Sequence, residues 1–245
     1  MKPKVSIIIP CYNAEKWIEK CILSAINQNY ENTEVIFVDN ESTDRSLEIA
    51  KEVQERHPKL LISSAPNLYK YSWEEPVNEG LKISSGEYIT ILGADDFVLA
   101  SYVSNFMRYI EQIPFKILAF QSPIRGVRGA SEESMPEMGH FYETLSEFKE
   151  LLFQKSPVTT PTVVYNRELY ERNLLNWDSK YLGAADYNLY FQLADSGVFI
   201  FPAGMWLGYY YRWHKEQATW GMHEEETSYD EVIKEYWHTR WSTED

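Results

Sequence analysis

Apolar positions in this chain fall into short unbroken runs that alternate with spaced sets. Val5-Ser6-Ile7-Ile8-Ile9, closed by Pro10, and Glu34-Val35-Ile36-Phe37-Val38 read as short buried strands. Between them Trp17, Ile18, Cys21, Ile22, Ala25 and Ile26 recur at helical spacing. That spacing predicts a helix from Ala14 to about Gln28, capped by Asn13. A second helix follows Asp39, capped by Ser42 or Thr43, with Leu47, Ala50 and Val53 on one face. Leu60-Leu61-Ile62 reads as a third strand, residues 76–83 as a third helix, and Tyr88-Ile89-Thr90-Ile91-Leu92 as another buried strand. This alternation predicts a parallel sheet with helices on both faces, an α/β nucleotide-binding architecture.

The second half is less regular. Helices are predicted at 101–113, 145–154 and 184–195, a strand at 117–121 and a loop at 126–139, with Pro157-Val158-Thr159-Thr160-Pro161 linking the later elements. In the tail, Val232, Ile233, Tyr236, Trp237 and Trp241 fall near one face, which predicts a helix packed on the domain or on a second subunit. Neither an internal repeat nor a low-complexity tract divides the chain. It reads as one domain over 1–223 with a helical extension at 224–245, and 1–100 and 101–223 as its two halves.

Composition narrows the chemistry. A net charge of −14 argues against general nucleic-acid binding, which needs clustered Lys and Arg. It also weakens docking on anionic lipid, and a phosphate ligand would want a cation beside it. Aromatics at 15% serve either as stacking surfaces or as large core side chains. Cys11 falls at a strand exit and Cys21 inside a helix, so no disulfide and a reduced compartment are expected. The first strand starts within a few residues of Met1, and every apolar run is far below the roughly 20 residues of a membrane span. A cytoplasmic chain without a transmembrane segment is therefore the expectation.

The strand at Tyr88 runs straight into Gly93-Ala94-Asp95-Asp96. Adjacent carboxylates at the C-terminal edge of an α/β sheet, where ligands sit, suggest a divalent metal with a phosphate ligand; an isolated pair would read as a turn. The strand-to-helix turns carry no Gly-x-Gly-x-x-Gly and the chain no Gly-Lys-Ser/Thr, which disfavours dinucleotide and ATPase-type phosphate loops. They carry Pro10-Cys11-Tyr12-Asn13 and Asp39-Asn40-Glu41-Ser42-Thr43-Asp44 instead. Tyr12 can pack on a base while Asp39 accepts from a ring N–H; taken singly, the two read as packing and capping.

In order and spacing, the stretches Val5 to Asn13, Val38 to Asp44 and Gly86-Glu87-Tyr88-Ile89 to Asp95-Asp96 resemble the family-2 glycosyltransferases of the GT-A fold. The likeness is specific over 4–100 and looser to about residue 214. It implies a nucleotide-diphosphate-sugar donor, usually a UDP-sugar, with Mg²⁺ or Mn²⁺, and transfer to an acceptor hydroxyl with inversion. On this likeness Pro10, Tyr12 and Asp39 match nucleoside-binding positions, Asn13 joins that set, and Asn78 lies in the helix that flanks the donor. Asp95 matches the last Asp of the metal motif with Asp96 beside it as a second ligand, while Gly93 stands where the first Asp is usual. His214 falls where relatives place a histidine near the metal or diphosphate, and Arg212 is an alternative phosphate contact.

Asp186 matches the general base in a segment where Glu-Asp opens a helix, although Ala185 replaces the Glu. Stabilisation of the helix dipole, worth roughly 0.3–1 kcal/mol, is the ordinary alternative for an Asp in that place. Asp178 and Asp195 fit the segment less well, and Thr159, Thr160, Trp177 and Trp220 are candidates for the sugar and acceptor pockets. The resemblance further implies polysaccharide or glycolipid assembly on a saccharide or lipid-linked saccharide acceptor, at the inner membrane face in the latter case, with a homo-oligomer as one option. A catalytically silent relative that binds nucleotide or a partner is the competing reading. A nucleotidyltransferase is disfavoured because the first turn lacks a Gly-rich basic loop.

Overall fold

The strand β1 (Val5–Cys11) is buried along nearly its whole length because side chains on both of its faces meet helices. Ile7 and Ile9 join one core with Val35 and Phe37, whereas Ile8 joins the other with Ile36, Val38 and Ile89. In this computed structural model, which describes residues 2–69, 72–217 and 229–243, β1 lies at the centre of the strands of the first half. It pairs in parallel with β2 (Thr33–Asp39) on one side and β4 (Tyr88–Ile91) on the other. β3 (Leu61–Ser64) continues the sheet beyond β2, again in parallel. The β1–β2 register ends on Cys11 opposite Asp39, so the two following turns leave the sheet side by side.

Helices α1 (Ile18–Ile26) and α2 (Ser46–Arg56) cover one face, and α3 (Glu74–Ile83) covers the other. Both expected caps need correction. α1 starts four residues later than Ala14, because Asn13 takes a left-handed conformation (φ 51°) and turns its carboxamide to the second turn. At α2 it is Asp44, not Ser42 or Thr43, whose Oδ1 accepts the Ser46 N–H at 2.9 Å.

The full sheet runs β10-β6-β9-β4-β1-β2-β3, with β6 (Ala119–Gln121), β9 (Val164–Asn166) and β10 (Ile200–Pro202). β9 is antiparallel to both neighbours, so the sheet is mixed rather than wholly parallel. Three residues are too few to show a period, and their pairing is long-range. α4 (Tyr102–Gln112), α5 (Leu145–Gln154) and the short α6 (Glu168–Glu171) complete the middle of the chain. α7 (Ala185–Asp195) and α8 (Tyr229–Ser242) pack against each other.

A second sheet of order β5-β11-β7-β8 combines β5 (Phe97–Val98), β7 (Ile124–Arg128), β8 (Glu133–Met138) and β11 (Tyr209–Trp213). The expected loop at 126–139 is therefore largely a hairpin of β7 and β8. Its outer strand, Glu-Ser-Met-Pro-Glu-Met, is polar and exposed almost throughout, which hides the strand period in the sequence. α8 buries Ile233 and Trp237 on the core that α7 serves, while Val232 and Tyr236 face solvent, contrary to the single apolar face expected. Trp220 and the first part of the extension lie outside the described residues. Among the described residues no helix is long and apolar enough to cross a membrane.

Candidate active site

The C-terminal ends of β1, β2 and β4 open into a cleft of about 1310 Å³, larger than the roughly 300–1,000 Å³ of a single small-molecule site. Pro10, Tyr12, Asn13, Asp95, Asp96, Asp186 and His214 all reach its wall, although they span most of the chain. Asp39 and Asn78 do not line it.

Where β1 and β2 end, the two following turns are tied together. Asn13 Oδ1 accepts the Thr43 N–H at 2.8 Å and the Asp44 N–H at 3.3 Å, and Ser42 Oγ accepts the Asn13 N–H at 3.1 Å. Asn13, expected to bind nucleotide, has its carboxamide oxygen committed to shaping this loop. Tyr12 leaves its ring 38% exposed in the cleft, as a stacking surface must. Behind it, Asp39 Oδ2 accepts the Ser42 N–H at 3.2 Å, while the buried Oδ1 has no partner. Its neighbour Asn40 does line the cleft and also buries an unpartnered Oδ1. Orphaned buried acceptors are costly, and a ligand N–H would satisfy one. Asn78 needs correction as a nucleotide ligand. Its Nδ2 donates to the Trp177 carbonyl at 2.9 Å and its Oδ1 accepts the Trp177 N–H at 3.2 Å. Trp177 itself is core and not pocket wall, at 1% exposure.

At the end of β4 the two carboxylates diverge. Asp95 Oδ2 shares a hydrogen bond with His214 Nε2 at 2.8 Å. Asp96 turns inward, where its Oδ1 accepts the Arg212 N–H and its Oδ2 the Tyr209 hydroxyl, each at 2.7 Å. Burial and then the neighbouring Asp95 push the Asp96 carboxyl well above the usual range. Asp96 is therefore an anchor between the β4–β5 turn and β11, and not the second metal ligand expected. Gly93 is held here by contact: a Cβ would meet Asp96 Oδ2 at 2.8 Å. Arg212 is likewise not a phosphate contact. Its buried guanidinium donates to the Asp95 carbonyl at 2.7 Å, to the Gly129 carbonyl at 2.5 Å and to Glu132 at 3.0 Å, and lies 4.4 Å from the Trp17 ring centre.

Among the described residues no group of three or more His, Cys, Asp and Glu side chains stands ready to hold a metal. Asp95 Oδ2 and His214 Nε2, 2.8 Å apart at the cleft wall, are the side chains that would hold a divalent ion. The remaining positions would fall to phosphate and water, the usual habit of Mg²⁺.

Asp186 sits in the first turn of α7, partly open to the cleft. The chain enters α7 through Leu182 in an uncommon conformation (φ 48°, ψ −134°), which precedes Gly183 and sets the helix start against the cleft. Asp186 Oδ2 accepts the Thr160 hydroxyl at 2.8 Å and Oδ1 the Tyr187 N–H at 2.7 Å. Burial nevertheless pushes its carboxyl up to about 6, and the charge of Asp230 adds to the shift. Thr159 and Thr160 line the cleft as expected, whereas Asp178 caps its own turn and Asp195 binds Arg240 and Trp241 of α8. Sequence reasoning missed His140, Tyr229 and Asp230, which also reach the cleft. The two polar ones carry no periodic signal; only the place of Asp230 at the start of a helix could have marked it.

A sequence model of glycosyl transferase family 2 matches residues 6–175. An uncharacterized glycosyltransferase of Haemophilus influenzae is 28% identical over 204 residues, covering 80% of this chain and 61% of that protein. A dolichyl N-acetyl-alpha-D-glucosaminyl phosphate 3-beta-D-2,3-diacetamido-2,3-dideoxy-beta-D-glucuronosyltransferase of Methanococcus voltae is 28% identical, covering 79% of this chain and 62% of that one. The chain thus spans about three-fifths of the length of these two relatives. Among solved structures, residues 1–349 of S. aureus TarS in complex with UDP-GlcNAc superpose with a TM-score of 0.72 at 22% identity, over 92% of this chain and 62% of that chain. The fold is the GT-A arrangement of that structure.

Proposed function

Since the chain belongs to glycosyl transferase family 2, we propose that it moves a sugar from a nucleotide-diphosphate sugar to an acceptor hydroxyl, with inversion at the anomeric carbon. The observation that supports this most is that one cleft carries both the Asp95–His214 pair and Asp186. Tyr12 stacks on the base, and Asp39, whose Oδ1 lies unpartnered just behind the cleft wall, is the acceptor we assign to its ring N–H. Uracil offers one such N–H, and the TarS structure that superposes on this chain is in complex with UDP-GlcNAc, so a UDP-sugar is the donor we favour.

Inversion needs a single base on the acceptor side. The bond from acceptor oxygen to the anomeric carbon forms while the bond from that carbon to the diphosphate oxygen breaks. The diphosphate leaves with the electron pair, and the acceptor proton passes to Asp186. Thr160 and the Tyr187 N–H hold the carboxylate in place for that transfer. A divalent cation, Mg²⁺ or Mn²⁺, held by Asp95 and His214 would neutralise charge on the departing diphosphate. The name of the Methanococcus relative specifies a lipid-linked saccharide phosphate, which supports a place in glycan assembly with a saccharide or lipid-linked saccharide acceptor.

Calorimetry of UDP-GlcNAc binding, with and without Mn²⁺, tests the donor site. Binding that needs Mn²⁺ and is lost in Asp95→Ala is the expected result. Asp186→Asn should bind as the native chain does while its turnover falls by a factor of about 10² or more. Absence of binding by any nucleotide diphosphate or nucleotide sugar would defeat the reading.

A further inference from the structure

We propose that Thr160 and Tyr190 form a positioning relay that orients the Asp186 carboxylate and keeps it ionisable. The proposal rests on the reading of Asp186 as the general base. Thr160 opens the short turn Thr160–Thr162, and its single hydroxyl proton goes to Asp186 Oδ2 at 2.8 Å. Thr160 Oγ1 in turn accepts the Tyr190 hydroxyl at 2.9 Å. Tyr190 lies one turn beyond Asp186 on α7, on the same side of the helix, and is fully buried. The sequence Tyr190 to Thr160 to Asp186 is thus a directed chain of donors, and each bond polarises the next.

The turn that presents Thr160 is fixed independently of Asp186. Gln121 Oε1 accepts the Thr159 N–H at 2.6 Å, Gln121 Nε2 donates to the Pro157 carbonyl at 2.9 Å, and the Val163 N–H closes on the Thr160 carbonyl at 3.2 Å. Thr160 therefore holds its place while the carboxylate works, and the hydroxyl opposes the burial that pushes the Asp186 carboxyl up to about 6. Of the groups that face Asp186, Asp230 on α8 raises its proton affinity, as burial does. Tyr187 donates its N–H from α7, Tyr165 on β9 lies within the field of Asp186, and His140 shares the cleft. Removing Thr160's proton donor should raise the midpoint of Asp186, and removing the charge of Asp230 should lower it.

The test is a titration of the Asp186 carboxyl by carbon-13 NMR on the full chain labelled at aspartate, with the resonance assigned by its loss in Asp186→Asn. Thr160→Val should move the midpoint up by about one pH unit, because a hydrogen bond to the charged form is lost. Thr160→Ser should restore the native midpoint, Tyr190→Phe should raise it less than Thr160→Val, and Asp230→Asn should lower it. An unmoved midpoint in Thr160→Val overturns the relay; if that variant does not fold, an unmoved midpoint in Tyr190→Phe overturns it alone. The acidic limb of UDP-GlcNAc turnover should follow the same shifts. Shifted carboxyl midpoints without any sugar turnover would uphold the relay and remove the transferase reading.

Discussion

Asp95 and Asp96 are neighbours in the chain but face opposite environments. The Asp95 side chain keeps 25% of its surface and meets His214, while Asp96 is sealed beneath it on Tyr209 and the Arg212 N–H. Two carboxylates in one turn repel, and this arrangement separates them by turning one into the protein. Asp186 shows how burial and chemistry oppose each other at a single residue. Its folded pKa, pushed up to about 6, lies above the ordinary value, so the fold favours the neutral carboxyl. Transfer should accordingly gain speed as pH rises through about 6. The stability that comes from the neutral form is complete below about 4 and lost as pH rises through about 6, an effect on the order of 3 kcal/mol. Asp186→Asn should therefore be more stable than the native chain at pH 8, with the difference gone at pH 4, as urea unfolding at the two pH values would show.

Among the elements, the β7–β8 hairpin and β11 complete a site that the first sheet only begins. Arg212 ties the Asp95 carbonyl to Gly129 and Glu132 of the hairpin turn, and β11 delivers His214 beside Asp95. A guanidinium buried this deeply is tolerable because each of its three nitrogens donates a hydrogen bond and an aromatic ring covers it. α3 shows the opposite economy, close approach through a missing side chain. A Cβ on Gly80 would stand 2.4 Å from Ile8 Cγ2, and Ile8 is a fully buried, β-branched residue with little freedom to move. Gly80→Ala should then destabilise the chain by about 1–3 kcal/mol, despite alanine's better helix propensity, and chemical denaturation would register it.

At the scale of the molecule, the cleft is assembled from both halves and from the C-terminal helix. Tyr229 and Asp230 at the start of α8 line it, and the body of the helix is locked to α7. Trp237 stacks on Phe191 at 5.9 Å and donates to Asn188 at 3.1 Å, and Trp241 donates to Asp195 at 2.8 Å. The extension is therefore continuous with the core around α7 and does not stand apart from it. Trp237→Ala should lower stability by about 3 kcal/mol in a single unfolding transition, measured by urea with fluorescence and circular dichroism together. Two separated transitions would show α8 to be an independent unit.

The sequence alone determined β1, β2, β4 and the helices around them, because buried runs and helical spacing are local signals. It also singled out Tyr12, Asp95, Asp186 and His214 through the order of residue types in their segments, and the structure brings all four to one cleft. Asp39 was marked in the same way, but the structure sets it just behind the cleft wall. Only the tertiary structure separated Asp95 from Asp96, buried Arg212 and Trp177, and committed Asn13 and Asn78 to backbone contacts. The same holds for β9, the β7–β8 hairpin and the reach of His140 and Asp230 into the cleft. The reason is physical: a side chain's direction and burial depend on partners far away in sequence, as Asp95 and Arg212 are, 117 positions apart. Short strands and exposed hairpins are stabilised by those same distant partners, so their own residues carry little of the pattern.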